Sequence, residues 1–234
     1  MTKPRRTKAE SLASTAHPVG RHPSSWRSGY WLVLTLLTVS YLMCAAQTSP
    51  DPSAVVLLVQ LATVAATLWV ARVNAGVRQV GWVVLAVTGT AAGIVQLAAL
   101  EGRVLDIVLS SASMLAYLGA PIAIIAHQGR KVLVDGQTLL ASIAAYVMVG
   151  MFFTFVYNLI GLTTATPLFE NANDDSLTSQ LFFSFTTLTT TGYGNLVPSG
   201  SAVQSVAIAE AIAGQLFLVI AVARVVSGWQ PQRR

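Results

Sequence analysis

The chain has 234 residues, of which 54% are hydrophobic and only 10% charged, and its mean hydropathy is +0.64. Because soluble domains carry about 25% charged residues, this composition excludes an ordinary soluble domain and predicts an integral membrane protein. The net charge of +5 raises the question of a nucleic-acid partner. The basic residues flank apolar segments instead, so we predict no nucleic-acid partner. Those before the first apolar segment are Lys3, Arg5, Arg6, Lys8, Arg21 and Arg27.

The chain begins with a polar, basic segment that contains several Pro and Gly residues. Residues 1–29 have too few apolar side chains to bury a core, and we predict a disordered cytoplasmic arm. A signal peptide is the alternative, because an apolar segment follows. The long charged region and the lack of a small-residue cleavage site argue against it. The single cysteine, Cys44, excludes an intrachain disulfide and is expected to be a small buried apolar residue.

Six apolar segments follow, each long enough to cross a bilayer as a helix. They are Tyr30–Gln47, Ala54–Arg72, Val80–Leu100, Val104–Ala126, Thr138–Gly161 and Ala202–Val226. Between the last two lies Ser176–Leu188, which is too short to span a membrane and rich in hydroxyl side chains. This pattern predicts six transmembrane helices and one short re-entrant helix.

The basic residues also predict the orientation of the chain in the membrane. When the N-terminus is placed in the cytoplasm and the segments alternate, Arg103 is the one basic residue that falls outside. This distribution agrees with the positive-inside rule. We therefore predict a multi-pass protein of the inner or plasma membrane with both termini in the cytoplasm.

The segment after the short helix reads Thr-Thr-Thr-Gly-Tyr-Gly-Asn, from Thr189 to Asn195. Gly192 and Gly194 tolerate a positive φ, which other residues disfavour, so successive carbonyl oxygens can point toward one axis. Stacked rings of such oxygens replace the hydration shell of K⁺. Gly194 completes the backbone of this loop. The predicted K⁺ ligands are the oxygens of Thr190, Thr191, Gly192 and Tyr193, with the Thr190 hydroxyl at the inner end.

The order of outer helix, acidic loop, short helix, Thr-Thr-Gly-Tyr-Gly loop and inner helix resembles the pore domain of tetrameric pore-loop potassium channels. The resemblance covers about Thr138 to Val226. It implies an all-α integral membrane protein with six transmembrane helices plus one re-entrant pore helix and filter loop. One such loop provides a quarter of a ring, so a homotetramer is implied. K⁺ would be the transported ion, without any other cofactor.

The resemblance and the apolar segments together divide the chain into five parts. We predict a basic arm over residues 1–29, a four-helix transmembrane domain over 30–127, a cytoplasmic linker over 128–137, a pore domain over 138–227 and a short cytoplasmic tail over 228–234. Within the pore domain, Asp174, Asp175 and Ser176 are expected to cap the pore helix.

The filter surroundings depart from the family pattern at several positions. The Tyr193 ring is expected to pack against Phe182 or Phe183, where family members often carry a Trp that can donate a hydrogen bond. Some members pair a carboxylate with an Asp after the filter, but Thr186 and Asn195 form a neutral pair here. We expect selectivity to survive these changes and filter stability to be altered.

The inner helix carries the one acid inside an apolar segment, Glu210. We expect it to be protonated and bonded to a pore-helix hydroxyl, with pH sensing and direct ion contact as the alternatives. Gly214, on the same face, is expected to be either a hinge or a packing contact. Leu218 and Val222 share a predicted cavity-facing stripe with Gln215 and would form a gate that closes by dewetting. Ordinary helix packing is the alternative for both.

The first four helices lack the signature of a voltage sensor, because Val104–Ala126 contains no repeated Arg or Lys. Steep voltage gating is therefore not expected. A scaffold, or a domain that senses lipid or another ligand, is predicted instead. The three histidines, His17, His22 and His127, have no metal-site companions, and no catalytic triad or nucleotide loop is present, so we predict no enzyme.

The sequence thus predicts a channel that conducts K⁺ passively and whose partners are its own copies and the lipid bilayer, with no identifiable soluble ligand. One alternative is a non-selective cation channel on the same scaffold. A second is a membrane sensor or scaffold subunit with a silent pore. A transporter is disfavoured, because transporters of this kind carry paired broken helices and only one broken segment is present here.

Overall fold

The computed structural model has an all-α architecture of six helices in the part of the chain that it describes. The described residues are 29–47, 54–70, 79, 82–83, 86, 89–90, 103–128, 136–164, 166–170 and 175–228. The helices are α1 Gly29–Ala45, α2 Ala54–Val70, α3 Arg103–Gln128, α4 Gly136–Thr163, α5 Leu177–Leu188 and α6 Gly200–Gly228. The predicted segment Val80–Leu100 lies largely outside the described residues, as do the predicted arm, most of the linker and the end of the tail.

Three of the described helices have the length and the apolar composition to cross a membrane. These spans are Arg103–Ile122 in α3, Gly136–Thr163 in α4 and Gly200–Arg224 in α6. Two stretches, α1 and Leu58–Val70 in α2, are apolar but shorter. The prediction of an all-α protein with apolar membrane spans is therefore confirmed. The predicted number of six spans stays a prediction.

Two hydrogen bonds show which helix ends lie together. The Arg103 guanidinium, at the start of α3, donates to the Leu162 carbonyl at the end of α4 over 2.6 Å. The Thr178 hydroxyl in α5 donates to the Gln47 carbonyl just after α1, also over 2.6 Å. The start of α3 therefore lies beside the end of α4, and the start of α5 lies beside the end of α1. This is the arrangement expected when successive spans alternate in direction.

Helix α4 lies at the centre and contacts α1, α3, α5 and α6. Small residues let membrane helices approach closely, and the buried face of α4 carries Ala141, Ala144, Ala145 and Gly150. Polar side chains also join helices within the apolar core. Asn158 of α4 donates to Ser110 of α3 over 2.7 Å, and Ser40 of α1 bonds to Tyr117 of α3 over 2.7 Å.

Candidate ion pore

The pore helix α5 begins where the sequence places it. Ser176 has an extended backbone, with φ −60° and ψ 154°, and its hydroxyl accepts a hydrogen bond from the Ser179 amide. Ser176 therefore caps the first turn, whose amides have no partner within the helix. Asp174 lies outside the described residues. The helix ends at Leu188, and Thr189 is its C-cap.

Asp175 lies immediately before the N-cap of α5, where the sequence places a negative charge, and its carboxylate also holds the outer loop. The carboxylate accepts from the Leu168 amide at 3.2 Å. The Leu168 carbonyl in turn accepts from the Ser199 amide at 2.8 Å, just before α6. The loop before the pore helix is thereby tied to the segment after the filter.

Phe185 packs α5 against both α4 and α1. A Cβ added to Gly150 of α4 would overlap the Phe185 ring, so α4 and α5 approach closely only because Gly150 has no side chain. On its other side the Phe185 ring meets Tyr41 of α1 edge to face, with centroids 5.4 Å apart. Edge-to-face aromatic pairs add stabilisation to that from the burial of apolar area. The first helix therefore contacts and stabilises the short helix directly.

The loop after α5 has left-handed backbone at three positions of the predicted filter. φ is 54° at Thr190, 53° at Gly192 and 80° at Gly194. The amides of Thr191 and Gly192 both donate to the Thr186 carbonyl, over 2.8 and 3.2 Å. Glycine adopts positive φ at little cost, whereas a β-branched residue is a genuine outlier there. Contacts around Thr190 must therefore hold its backbone.

Gln215 of α6 makes such a contact. Its side-chain amide donates to the Thr190 hydroxyl over 2.9 Å, and that hydroxyl donates to the Thr189 carbonyl over 2.7 Å. Both Thr190 and Gln215 are exposed on the chain. The bond fixes the side chain that was predicted to supply the innermost K⁺ ligand.

The aromatic residues near the filter separate into two environments. Tyr193 is 71% exposed and its ring stacks on Phe182, with centroids 5.8 Å apart. Phe183 turns the other way and is buried between the helices. The Thr186 hydroxyl donates to the Phe183 carbonyl within α5, and Asn195 is exposed. Of the two predicted supports for Tyr193, Phe182 is the one in contact.

Glu210 of α6 is fully buried within one subunit and is held by two hydroxyl groups. Tyr157 of α4 donates to one carboxyl oxygen over 2.7 Å. The Ser184 hydroxyl of α5 lies 2.6 Å from the other oxygen and 2.8 Å from the Gly150 carbonyl. The side chain therefore joins α6, α4 and α5, and it makes the expected bond to a hydroxyl group of the short helix.

Gly214 is the point at which α6 touches the end of the pore helix. A Cβ added at Gly214 would overlap the Leu188 carbonyl oxygen, a backbone atom. The Tyr146 hydroxyl of α4 donates to the same oxygen over 3.2 Å. Gly214 therefore makes a packing contact, which is one of its two expected roles. Helix α6 continues unbroken past this position, and the hinge role stays a prediction. The predicted gate residues Leu218 and Val222 are both exposed on the chain.

A family model described as Ion channel matches residues 146–228. This part of the chain is similar to ion channels. The match starts within α4 and contains α5, the loop Thr189–Asn195 and α6, which are the elements of the candidate pore. No curated protein and no solved structure matches the chain.

The match to an ion channel domain confirms the prediction that the chain is not an enzyme. Together with the three helices of membrane-spanning length, it indicates a multi-pass membrane protein with a channel pore domain. The ion that passes, the number of subunits and the membrane in which the channel resides stay predictions.

Several residues of this pore domain were not anticipated from the sequence. Tyr157 and Tyr146 place hydroxyl groups on the apolar helix α4, and Gly150 accommodates a ring. Ser184 supplies the hydroxyl of the short helix that was expected to meet Glu210. A polar side chain in an apolar span is a signal that it has a buried partner. The sequence does not state which partner it meets, because the three helices come together only in the folded chain.

Proposed function

We propose that the chain forms a potassium-selective channel, a homotetramer that passes K⁺ down its electrochemical gradient across the inner or plasma membrane. The observation that supports this most strongly is the loop from Thr189 to Asn195. It follows the C-terminal end of a partly buried short helix and has left-handed backbone at Gly192 and Gly194. Its residues are exposed on the single subunit, as a site completed by other copies requires.

The mechanism follows from the position of the pore helix and the composition of the loop. The C-terminal end of α5 carries a partial negative charge, because its last carbonyls have no partner within the helix. Four such ends around one axis lower the cost of a dehydrated cation inside the membrane. Rings of carbonyl oxygens from Thr190 to Tyr193, with the Thr190 hydroxyl at the inner end, then replace the water ligands of K⁺.

A tetramer would also cover apolar surface that a single subunit leaves open. Only 11% of the apolar window in α6 is buried within one subunit. Contiguous apolar patches of this kind indicate contact with another protein surface or with lipid. The exposed side chains include Ile208, Ile212, Leu216, Val219 and Ile220. Neighbouring copies and lipid would share this surface.

The gating mechanism we propose does not depend strongly on voltage. Arg103 lies at the first position of α3, and no further Arg or Lys follows within that helix. Moving one elementary charge across a potential of 100 mV contributes about 2.3 kcal/mol to gating. A helix without a series of charges therefore gains little energy from a change in membrane potential. Leu218 and Val222 would close the inner end of the pore by dewetting, and α1 to α3 would act as a scaffold that contacts the pore helix.

The proposal is tested by flux in vesicles that hold a K⁺ gradient and contain the purified protein. We expect K⁺ efflux that Na⁺ does not replace, because the filter oxygens match the hydration of K⁺. Equal flux of both ions would contradict selectivity and favour the non-selective channel. Absence of flux from a verified tetramer, under both polarities of potential, would contradict the proposal and favour the sensor or scaffold reading.

Gln215 provides a second prediction, because its amide holds the hydroxyl of the innermost site. Ba²⁺ is close to K⁺ in size and blocks sites built for it, so block from the inner side reports on this site. We expect Gln215→Met to raise the half-blocking Ba²⁺ concentration roughly fivefold, the equivalent of about 1 kcal/mol for one lost hydrogen bond. The relaxed Thr190 side chain would no longer be aimed at the axis.

The matched control for this prediction is Gln204→Met on the same helix. Gln204 donates to the Pro198 carbonyl over 3.3 Å and lies about three helical turns before Gln215. We expect its Ba²⁺ block to equal that of the parent protein. An unchanged or stronger block in Gln215→Met would contradict the role assigned to Gln215.

A further inference from the structure

The contacts of Glu210 contain more hydrogen bonds than the hydroxyl groups around it can supply. Three short contacts meet there: Tyr157 to Glu210, Ser184 to Glu210 and Ser184 to the Gly150 carbonyl. Tyr157 and Ser184 contribute one hydroxyl proton each, and a carbonyl oxygen contributes none. The third hydrogen bond needs a proton from the carboxyl group itself.

One arrangement of the protons gives each of the three contacts its own donor. Tyr157 donates to one carboxyl oxygen, which acts as the carbonyl acceptor. The other carboxyl oxygen carries the proton and donates it to the Ser184 hydroxyl, which is then free to donate to the Gly150 carbonyl. Every polar atom of the cluster has a partner in this arrangement, as buried polar groups require.

The charged groups around Glu210 also favour a protonated carboxyl group. Helices α4 and α5 contain no Lys, Arg, Asp, Glu or His, and the titratable group that contacts Glu210 from α4 is the phenol of Tyr157. The basic residue of α6, Arg224, lies almost four helical turns from Glu210. Because Glu210 is fully buried in one subunit, a neighbouring copy has no access to supply a cation. An ionised carboxylate without a partner is costly in such a place.

We infer that Glu210 is a neutral carboxylic acid whose proton is donated to Ser184, and that this bond positions the pore helix on the inner helix. Ser184 lies one turn before Leu188 on α5, and Glu210 lies one turn before Gly214 on α6. The pairs Glu210–Ser184 and Gly214–Leu188 are thus two contacts at the same spacing along both helices. Together they set the register of the two helices directly behind the filter. Glu210 is a positioning residue and touches no ion.

Infrared spectroscopy of the purified protein at neutral pH tests the protonation directly. A protonated carboxyl group has a C=O stretch well above the bands of an ionised carboxylate. We expect this band in the parent protein and its loss in Glu210→Gln. Tyr157→Phe and Ser184→Ala should keep the band and move it to higher wavenumber, because each removes one hydrogen bond from the acid. A parent protein without the band would overturn the inference.

Thermal unfolding of the same samples tests the positioning role. The Gln side chain accepts from Tyr157 and donates to Ser184 as the neutral acid does, so Glu210→Gln is expected to unfold within a degree or so of the parent. Glu210→Leu removes both bonds and should unfold several degrees lower. If Glu210→Gln were as unstable as Glu210→Leu, the neutral acid would be the wrong assignment. Neither measurement depends on K⁺ conduction, so the inference and the proposed channel function fail separately. If Glu210→Gln does not fold, the band shifts of Tyr157→Phe and Ser184→Ala still decide the assignment.

Discussion

Gly192→Asp is expected to abolish the K⁺ flux of reconstituted vesicles. Gly192 has φ of 53°, a left-handed conformation that glycine adopts more readily than a residue with a side chain. A side chain there would turn the neighbouring carbonyl oxygens away from the axis, and four carboxylates would surround the path of the ion. Flux should fall to that of empty vesicles, measured with the same K⁺ gradient as for the parent protein.

Gly200→Asp is the matched control for this result. Gly200 also has positive φ, 73°, and open space around its position, but it lies at the start of α6 outside the filter. The substitution adds the same side chain at a similar backbone cost, and a negative charge at a helix N-terminus is favourable. We expect a flux close to that of the parent. Equal loss in both variants would point to misfolding, and retained flux in Gly192→Asp would contradict the filter assignment.

Gly214→Ala is expected to lower both the stability of the pore domain and its K⁺ flux. The new Cβ would overlap the Leu188 carbonyl oxygen, which is a backbone atom and cannot rotate away. Helices α5 and α6 would have to separate, and overpacking of this kind costs roughly 1–3 kcal/mol. The melting midpoint, followed by circular dichroism in detergent, should fall by several degrees. The displaced Leu188 would also disturb the entrance to the filter.

The control for this prediction is Gly119→Ala in α3. Gly119 is exposed and has no atom near the position of a new Cβ. Alanine exceeds glycine in helix propensity by about 1 kcal/mol, so this variant should be as stable as the parent or slightly more so. A Gly214→Ala protein of unchanged stability whose channel opens less often would favour the hinge, the other role expected for Gly214, over the packing contact.

Much of this architecture could be predicted from local patterns. Apolar length alone predicts the helices α1, α3, α4 and α6, because a backbone in lipid must satisfy its own hydrogen bonds. The short hydroxyl-rich stretch before the glycine motif predicted α5, and Ser176 caps it as expected. The spacing of Glu210 and Gly214 placed both on one face of α6, and both are buried.

Other features depend on which helices meet, and no local pattern contains that information. Asp175 bonds to the outer loop, and Phe183 turns away from Tyr193 although Phe182 does not. Gln215 reaches Thr190 from a different helix. The sequence allows more than one contact partner for each of these side chains. The packing of α4, α5 and α6 determines which partner each of them meets.

By itself, the sequence determined the membrane class of this protein, the positions of its helices and the seven residues of the candidate filter. These depend on hydropathy, helix length and the conformational freedom of glycine, which act over short stretches of chain. Only the tertiary structure decided how the filter is supported. Tyr157, Ser184 and Glu210 come from three successive helices, and their hydrogen bonds form because burial leaves each polar atom no water to bind.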